Sequence, residues 1–494
     1  MMARIALTAV SALALLWLVF ATHAAGQPLW AVALLAIGGI VIWVYAGSRS
    51  VAWKYLLPGV LGMLAFAAFP LLYTIQIGFT NYSSNHLLSE ERARAYLLEQ
   101  TLVDEERARP FTLHREGDRY RLRLGADLVS PPLALDGSDP RSVAMQPLAA
   151  ASPGQALDLR ETIALRPALL PLQLELPQGE PPRTLSYAGV REFAPVSPVW
   201  EAQADGALLQ RTTGELYTPD REAGYFRNAA GEPMQPGFKV GIGFANYTRM
   251  LFDPDFRGPF VSIFVWTVAF AALTVLFSTA LGMTLAVLLN WEALKYRTLY
   301  RTLLFLPYAV PGFISILVFK GLFNQNFGEI NAILDALFGI RPAWFADPLL
   351  AKAMLLIVNT WLGYPYIMVL CTGLLKAIPS DLYEASALAG ASPLTNFFRI
   401  TAPLITRPLT PLLISAFAFN FNNFVLISLL TDGRPDFLNT KLPAGTTDIL
   451  VSYTYRIAFT DAGQNFGLAA AISTLIFFMV AVMSLLQLRL MNRK

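Results

Sequence analysis

Two asparagines, Asn420 and Asn423, lie within a strongly apolar stretch of the chain, where amide side chains are uncommon. Their spacing predicts that they share one face of a helix with Ala416 and Phe419. Two amides can bond to the hydroxyls of a neutral sugar, and an aromatic ring beside them offers a platform for the sugar face. The same amides could instead form hydrogen bonds between helices, worth about 0.6 kcal/mol each. From these residues alone, a polar solute site and helix packing are equally good interpretations.

Residues suited to catalysis or metal binding are scarce in this chain. One cysteine, Cys371, and three scattered histidines argue against a zinc site and exclude an intramolecular disulfide. The centres of the apolar stretches contain no Asp, Glu or His, which disfavours a proton relay but leaves sodium coupling open. Because the chain contains no Gly-Lys dipeptide, it has no P-loop for ATP. We therefore predict a chain that is not an enzyme and that takes its energy from a separate protein.

The composition is that of a membrane protein. Hydrophobic residues make up 55% of the 494 positions and charged residues 14%, whereas soluble domains carry about a quarter charged residues. The mean hydropathy is +0.48. A net charge of +3 without a run of like charges gives no indication of nucleic acid. The composition therefore predicts an all-α polytopic protein surrounded by membrane lipid.

About eight stretches are long enough to cross a bilayer, which takes about 20 mostly apolar residues. They cover residues 5–20, 29–45, 55–79, 260–290, 302–319, 353–375, 403–430 and 465–488. The first stretch has features of a signal peptide, but a second apolar run follows almost at once. This order favours a retained helical hairpin.

The positions of Lys and Arg predict the orientation of these spans. These residues fall in alternate loops, at Arg4, Arg49, Lys54, Lys295, Arg297, Arg301, Lys376, Arg399, Arg489, Arg493 and Lys494. We therefore predict that these loops and both termini are cytoplasmic. One outward loop contains Asp432, Asp436, Asp448 and Asp461, although Arg434, Lys441 and Arg456 weaken the contrast.

Residues 81–255 interrupt the apolar pattern. They carry most of the charge, many prolines, and alternating segments such as residues 120–124 that are typical of strands. We predict a large β-rich external domain here, inserted after the third span. From composition, a passive spacer and a docking platform for an external partner are equally good interpretations. The predicted division is therefore two N-terminal helices in 1–54, a first core helix in 55–80, the external domain, and the remaining core in 256–494.

The predicted cytoplasmic loop at residues 378–403 contains a short helix with little charge. Ser380 and Asp381 are suitable N-cap residues, and Gly390 is placed to end the helix. Ser392 and Pro393 then favour the start of a second helix. A small apolar helix exposed in the cytoplasm indicates that another protein covers it, with a re-entrant or interfacial turn as the alternative.

This loop resembles the EAA loop of ABC importer permeases. Glu384, Ala385, Ser386 and Gly390 have the spacing of that motif, and Ile400 and Pro403 continue it. Ser386 replaces the third alanine, and Ala402 replaces a leucine. The resemblance implies a type I ABC importer permease core, in which the loop forms a coupling helix in a cleft of a cytoplasmic ATPase. Glu384 would then make the charged contact and Gly390 the tight turn.

Further segments are similar to a narrower family, the MalF-type permeases, which are the larger permease subunits of maltose/maltodextrin importers. The similarity is carried by residues 417–424, 443–448 and 465–471 and by the large external insertion. It implies a permease subunit of an ATP-driven, binding-protein-dependent importer in the bacterial inner membrane, with the large domain periplasmic. The implied partners are a MalG-like second permease, two copies of a MalK-like ATPase and a periplasmic maltose-binding protein. ATP and Mg²⁺ would be used by the ATPase, with no cofactor on this chain.

The same resemblance implies where a sugar is held at mid-membrane. The implied contact residues are Leu362, Gly363, Tyr366, Phe419, Asn420 and Asn423, with Tyr308 as a further wall residue. Ala416 stands where that family has a serine. Prolines and glycines in 307–312 and 362–366 are predicted to interrupt backbone hydrogen bonding, either as packing kinks or because these residues border a cavity. Residues 324–337 are predicted to be amphipathic, and the resemblance implies that they border the surface where the binding protein docks.

Three other functions remain as alternatives with different sequence requirements. A permease for another neutral oligosaccharide or polar solute is the nearest of them, because Ala416 departs from the family pattern. A membrane sensor would need a cytoplasmic output domain, and no predicted cytoplasmic loop is long enough for one. An intramembrane enzyme would need paired catalytic groups, whereas the spans offer amides and aromatic rings.

Overall fold

The computed structural model describes residues 2–46, 51–136, 141–148, 156–177, 184–291, 293–438, 440, 443–460 and 464–491. The chain divides into two compact units. One combines Met1–Thr80 with Ile242–Lys494 and is helical; the other is Asn81–Gly241 and is rich in β-strands. The β-rich unit therefore ends before residue 255, the end of the predicted external domain.

The α-helices account for most of the first unit. In chain order they are α1 (Met2–Ala24), α2 (Pro28–Ala46), α3 (Val51–Met63), α4 (Phe69–Gly78), α5 (Glu90–Leu98), α6 (Leu159–Ala164), α7 (Arg166–Leu169), α8 (Ala245–Phe252), α9 (Pro254–Leu289), α10 (Arg297–Ala309), α11 (Gly312–Leu322), α12 (Glu329–Phe338), α13 (Pro348–Leu375), α14 (Ser380–Leu388), α15 (Pro393–Asn396), α16 (Ala402–Phe421), α17 (Phe424–Leu430), α18 (Leu450–Tyr455) and α19 (Phe466–Met491). Helices α5, α6 and α7 belong to the β-rich unit. Short π-helical turns at Leu64–Ala68 and Phe397–Thr401 join α3 to α4 and α15 to α16.

Seven helical runs in the described residues are long and apolar enough to cross a membrane, and α10 with α11 forms an eighth if the bent pair is one span. The prediction of about eight spans is therefore confirmed. Large apolar side chains such as Trp17 and Phe66 are exposed on these helices. Such exposure suits a lipid environment, because helices satisfy their backbone hydrogen bonds internally and can present apolar side chains to hydrocarbon.

Helices α9, α13 and α16 pack together at the centre of the helical unit. The contact between α9 and α13 is close at Gly282, where an added methyl group would lie 2.9 Å from the backbone oxygen of Tyr364. Small residues are common where membrane helices approach closely, because dispersion contacts replace the hydrophobic effect there. Gly282 therefore sets the separation of the two helices that carry much of the candidate site.

The two predicted interruptions of the spans have different outcomes. Between α10 and α11 the chain bends by 92°, which confirms the interruption in 307–312. In 362–366 the helix itself is not broken, because α13 continues through Pro365. A proline removes one backbone donor and strains the helix, but neighbouring helices can compensate inside a membrane bundle. The predicted amphipathic segment at 324–337 contains most of α12, which begins at Glu329. Before this helix, the Asn324 side chain accepts hydrogen bonds from the Asn326 and Phe327 N–H groups.

A buried ion pair anchors the loop between α17 and α18. Asp448 is fully buried, and its carboxylate accepts hydrogen bonds from the Gly445 backbone N–H, Ser452 Oγ and Arg456, each at 2.8 Å. Arg456 also donates to Asp436 at 2.8 Å. Burial raises the pKa of Asp448, whereas the Arg456 charge and the three donors favour its ionised form. Removing either partner would leave a buried charge without compensation, so the pair holds this loop in place.

The β-rich unit contains strands in three sheets. They are β1 (Thr101–Val103), β2 (Arg109–Glu116), β3 (Arg119–Leu124), β4 (Leu128–Val129), β5 (Ser142–Ala144), β6 (Gln146–Pro147), β7 (Gln173–Glu175), β8 (Thr184–Gly189), β9 (Glu192–Ala194), β10 (Val196–Pro198), β11 (Trp200–Ala202), β12 (Leu208–Gln210), β13 (Leu216–Asp220), β14 (Tyr225–Arg227) and β15 (Pro233–Met234). The sheet orders are β1-β10, β11-β12-β13-β14-β15 and β5-β7-β8-β9-β2-β3-β4-β6. Only the β5–β7 pair is parallel among the described pairs.

Alternation along the strands explains the core of the larger sheet. In the predicted strand at 120–124, Leu122 and Leu124 are buried, and Leu122 pairs with the buried Leu113 of β2. Arg121 and Arg123, which alternate with these leucines, lie on the opposite face, because successive strand side chains point to opposite sides. The prediction of a β-rich domain inserted after the first spans is confirmed.

Candidate functional site

A cavity of about 590 Å³ lies in the helical unit. Its wall contains residues of α9, α10, α11, α13, α16 and α17 and of the segments joining them. All of the predicted solute-contact residues line it, namely Tyr308, Leu362, Gly363, Tyr366, Phe419, Asn420 and Asn423. The fold therefore brings the predicted residues from three separate helices and one junction to a single cavity.

Helix α13 contributes one turn of its surface to the cavity. Leu362 and Gly363 each lie about one helical turn before Tyr366 and so border the same side of the helix. An added methyl group at Gly363 would lie 2.8 Å from Ser278 Oγ of α9, so glycine permits the close approach of these helices. The Tyr366 side chain is 43% exposed and can contact a solute.

Asn420 and Asn423 lie on different helices, which corrects the prediction of one shared helix face. Helix α16 ends at Phe421, and Asn423 is the N-cap of α17, where its side chain accepts a hydrogen bond from the Leu426 N–H. Asparagine is a favoured N-cap because its side-chain oxygen satisfies a free N–H of the first turn. The break still leaves both amides at the cavity, and Phe419 is 71% exposed beside them.

Asn359 of α13 joins these two amides and was not identified from the sequence. Its Nδ2 donates to Asn420 Oδ1 at 2.7 Å and to Thr274 Oγ1 at 3.1 Å, while its Oδ1 accepts from Asn423 Nδ2 at 3.3 Å. Asn359 is buried and also lines the cavity. The sequence did contain an indication of this role, because Asn359 lies one helical turn before Gly363 and so shares its face of the helix.

The amide network combines the two interpretations left open by the sequence. Two hydrogen bonds join different helices, from Asn359 to the Asn420 oxygen and from Asn423 Nδ2 to the Asn359 oxygen. The other two are local, since Asn420 Nδ2 donates to the Ala416 oxygen at 2.8 Å and the Asn423 oxygen accepts from the Leu426 N–H. A primary amide has two N–H groups. The second N–H of each side chain donates to no other described residue.

The structure places the predicted coupling residues on an exposed helix. Helix α14 has no buried residue, and both Glu384 and Ala385 are exposed, while Ser386 is half-buried. Gly390 has a φ of +73°, a conformation that favours glycine and ends the helix as predicted.

The predicted caps of this loop have mixed outcomes. The N-cap of α14 is Pro379, so the prediction of Ser380 or Asp381 at that position is wrong. The observed N-cap is only one residue before Ser380. A proline is tolerated there, because its fixed backbone angle suits the entry into a helix. The second cap is confirmed, since Ser392 Oγ accepts from the Thr395 N–H and Pro393 begins α15.

Comparison with known proteins gives the family of the chain. Residues 88–243 match the "Maltose transport system permease protein MalF P2 domain", and residues 278–493 match the "Binding-protein-dependent transport system inner membrane component". The chain is similar to proteins named maltose/maltodextrin transport system permease protein MalF. The relative from Yersinia pestis is 48% identical over 96% of this chain and 91% of its own length. Those from Klebsiella aerogenes and Escherichia coli K12 are 48% and 46% identical, each over 97% of this chain and 94% of the relative. The chain therefore belongs to the MalF family of binding-protein-dependent inner-membrane permease subunits.

Proposed function

We propose that the chain carries maltose and maltodextrins across the bacterial inner membrane and holds the sugar in the cavity lined by the asparagine network. As a member of the MalF family, it is a multi-pass subunit of an ABC importer rather than an enzyme, and ATP hydrolysis belongs to a partner ATPase. The observation that carries the proposal is the convergence of Asn359, Asn420 and Asn423 with exposed aromatic rings on one cavity. Amides can bond to sugar hydroxyls, and the rings provide an apolar platform.

The lining of the cavity favours a neutral solute. None of the described residues that line it carries a charge, whereas charged groups inside a membrane are usually kept for ions and proton relays. In the proposed site Phe419 and Tyr366 stack on the sugar rings, and Asn420 and Asn423 donate their remaining N–H groups to sugar oxygens. Leu362, Gly363 and Tyr308 complete the wall.

A permease for another neutral oligosaccharide is the second candidate. The observation in its favour is Ala416, which lines the cavity without a hydroxyl. The neighbouring Ser415 does not replace that hydroxyl, because its Oγ donates to the Pro411 oxygen one turn earlier at 3.0 Å. The site therefore has one hydrogen-bonding group fewer than the family pattern, and a change of preferred solute would follow most directly from this position.

The proposed function requires other proteins of the importer besides this chain. An ABC importer permease works with an ATPase, a substrate-binding protein and a second permease. We propose that these are two copies of a MalK-like ATPase, a periplasmic maltose-binding protein and a MalG-like permease. In this assembly α14 is the coupling helix, with Glu384 as the charged contact, Ala385 and Ser386 as its small face and Gly390 as its turn. ATP and Mg²⁺ bind the ATPase, and this chain holds no cofactor.

The proposed orientation places both termini in the cytoplasm and residues 81–255 in the periplasm. It is supported by the alternate-loop pattern of Lys and Arg and by the pairing of α1 with α2 as a hairpin. Arg49, Lys441, Asp461, Arg493 and Lys494, which enter the prediction, lie outside the described residues. We propose residues 1–54, 55–80 and 256–494 as the membrane-embedded divisions, with the loop at 378–403 cytoplasmic.

Transport in reconstituted vesicles tests the substrate. The chain is combined with its partner permease, ATPase and binding protein, and uptake of labelled maltose and maltotriose is measured with and without ATP. We expect ATP-dependent uptake of at least one sugar. An intact complex that hydrolyses ATP but takes up neither sugar would contradict the proposed substrate and favour another neutral solute.

The asparagine network predicts that Asn359, a residue outside the sequence motifs, is needed for sugar uptake. Asn359→Leu should lower sugar uptake at least about tenfold, because it leaves Asn420 and Asn423 without their shared partner, and each unpaired buried group costs about 1–3 kcal/mol. The matched control is Asn422→Leu, since Asn422 is exposed and its side chain donates, among the described residues, only to the Ala418 oxygen of α16. Equal uptake by both variants would show that Asn359 does not organise the site.

A further inference from the structure

Two side-chain hydrogen bonds join the exposed helix α14 to the chain that follows it. The Tyr383 hydroxyl and Thr401 Oγ1 are 2.9 Å apart, and Ser386 Oγ donates to Asn396 Oδ1. Thr401 is only 4% exposed, whereas α14 has no buried residue. The Tyr383–Thr401 bond therefore connects a surface helix to a residue inside the helical unit.

Thr401 lies at the junction between a π-helical turn and helix α16. It is the last residue of the π-helical turn Phe397–Thr401, and α16 begins at the next residue. Single π turns within helices are rare and are often found at functional sites. Just beyond it, Ile405 and Leu409 of α16 are fully buried with residues of α9 and α13. One side of the first part of α16 is therefore packed against these helices.

The other end of α16 reaches the cavity. Phe419 and Asn420 lie in its last turn and line the proposed sugar site. At a rise of about 1.5 Å per residue, Thr401 and Asn420 are about 28 Å apart along the helix. A packed helix can carry a displacement over such a distance, because side-chain packing allows few intermediate arrangements.

The main chain between α14 and α15 is a weaker connection. It runs through Ala389, Gly390 and Ala391, and Gly390 has a positive φ. Glycine has more conformational freedom than other residues, so this joint alone would let α14 change direction without moving α16. The two side-chain bonds restrict that movement. Ser386, which stands where the family pattern has alanine, forms one of them.

We infer that the Tyr383–Thr401 hydrogen bond is the link that transmits movement of α14 into α16 and so to the sugar cavity. The inference rests on the proposed role of α14 as the ATPase-coupling helix. Both residues are positioning residues, since neither contacts sugar in the proposed site. The Ser386–Asn396 bond holds the same helix at a second point and supports the link.

Coupling efficiency in the complete reconstituted complex tests the link. Tyr383→Phe and Thr401→Val each remove one hydroxyl with little change in shape. We expect the ATPase to co-purify and to hydrolyse ATP as before, while sugar imported per ATP falls about fivefold, the change expected from one net hydrogen bond. The double variant should be no worse than either single variant, because both remove the same bond. Tyr300→Phe is the matched control, since Tyr300 is exposed and lies on α10.

A second measurement does not depend on the identity of the sugar. In a Cys371→Ser background, a fluorophore attached to Ser415→Cys reports on the cavity end of α16 when ATP, vanadate and binding protein are added. We expect the emission change to be about fivefold smaller with Tyr383→Phe than with native Tyr383. If the native complex imports neither sugar, the proposed substrate fails, but this comparison still decides the role of the bond.

Three results would overturn the inference. The first is an unchanged emission response and an unchanged sugar-to-ATP ratio in Tyr383→Phe and Thr401→Val. The second is additive losses in the double variant, which would show that the two hydroxyls act separately. The third is loss of the ATPase from Tyr383→Phe complexes, which would assign the hydroxyl to docking rather than to transmission.

Discussion

Sugar uptake should be abolished when Asn420 and Asn423 are both replaced with leucine, while ATP hydrolysis stimulated by the binding protein persists. The double change removes both N–H groups proposed to bond to the sugar and leaves Asn359 without two of its partners. A site built to bond to hydroxyls loses several kcal/mol of affinity when its polar groups are removed, because the sugar hydroxyls are then desolvated without compensation. Helix α14 is unaffected, so the response to ATP should remain. The measurement is uptake of labelled maltotriose together with phosphate release.

A further variant separates sugar binding from helix capping. Asn423 also caps α17, so its loss could act through that helix alone. Asn423→Ser retains an N-cap oxygen but has no amide N–H. Reduced uptake by Asn423→Ser, in a complex of normal thermal stability, would support the sugar contact. Unchanged uptake by the Asn420→Leu, Asn423→Leu double variant would assign both amides to helix packing.

The ATPase should be lost from purified complexes when Glu384 is replaced with lysine, while the chain still inserts into the membrane. Glu384 is exposed on α14 and forms no ion pair with another described residue of the chain, so its carboxylate is free to contact a partner. Breaking a buried charge contact at an interface costs about 2–5 kcal/mol, and charge reversal adds repulsion. We therefore expect at least about 30-fold weaker retention of the ATPase. Co-purification of the ATPase with the permease pair is the measurement.

Asp381→Lys is the matched control for this prediction. Asp381 lies on the same short helix, is also exposed, and gives the same change of charge. A general electrostatic effect would weaken both complexes alike, whereas a specific contact would weaken only Glu384→Lys. Recovery of a full complex with Glu384→Lys would contradict the assignment of this residue.

Local composition and spacing determined the general architecture of this protein. The membrane spans follow from runs of apolar residues about 20 long, since the bilayer imposes that length on every helix. The β-rich insertion follows from the return of charge and alternation in 81–255. The turn at Gly390 and the cap at Ser392 are also local, because each depends on the backbone of a few adjacent residues.

The tertiary structure alone decided which residues meet at the cavity. Asn359 and Asn423 are 64 positions apart in the chain, yet their side chains form a hydrogen bond. The continuity of α13 through Pro365 and the break after Phe421 depend on what neighbouring helices pack against and on which amide caps α17. Local spacing could not decide these features, because the free energy of a buried amide or an interrupted helix is set by partners contributed by other helices.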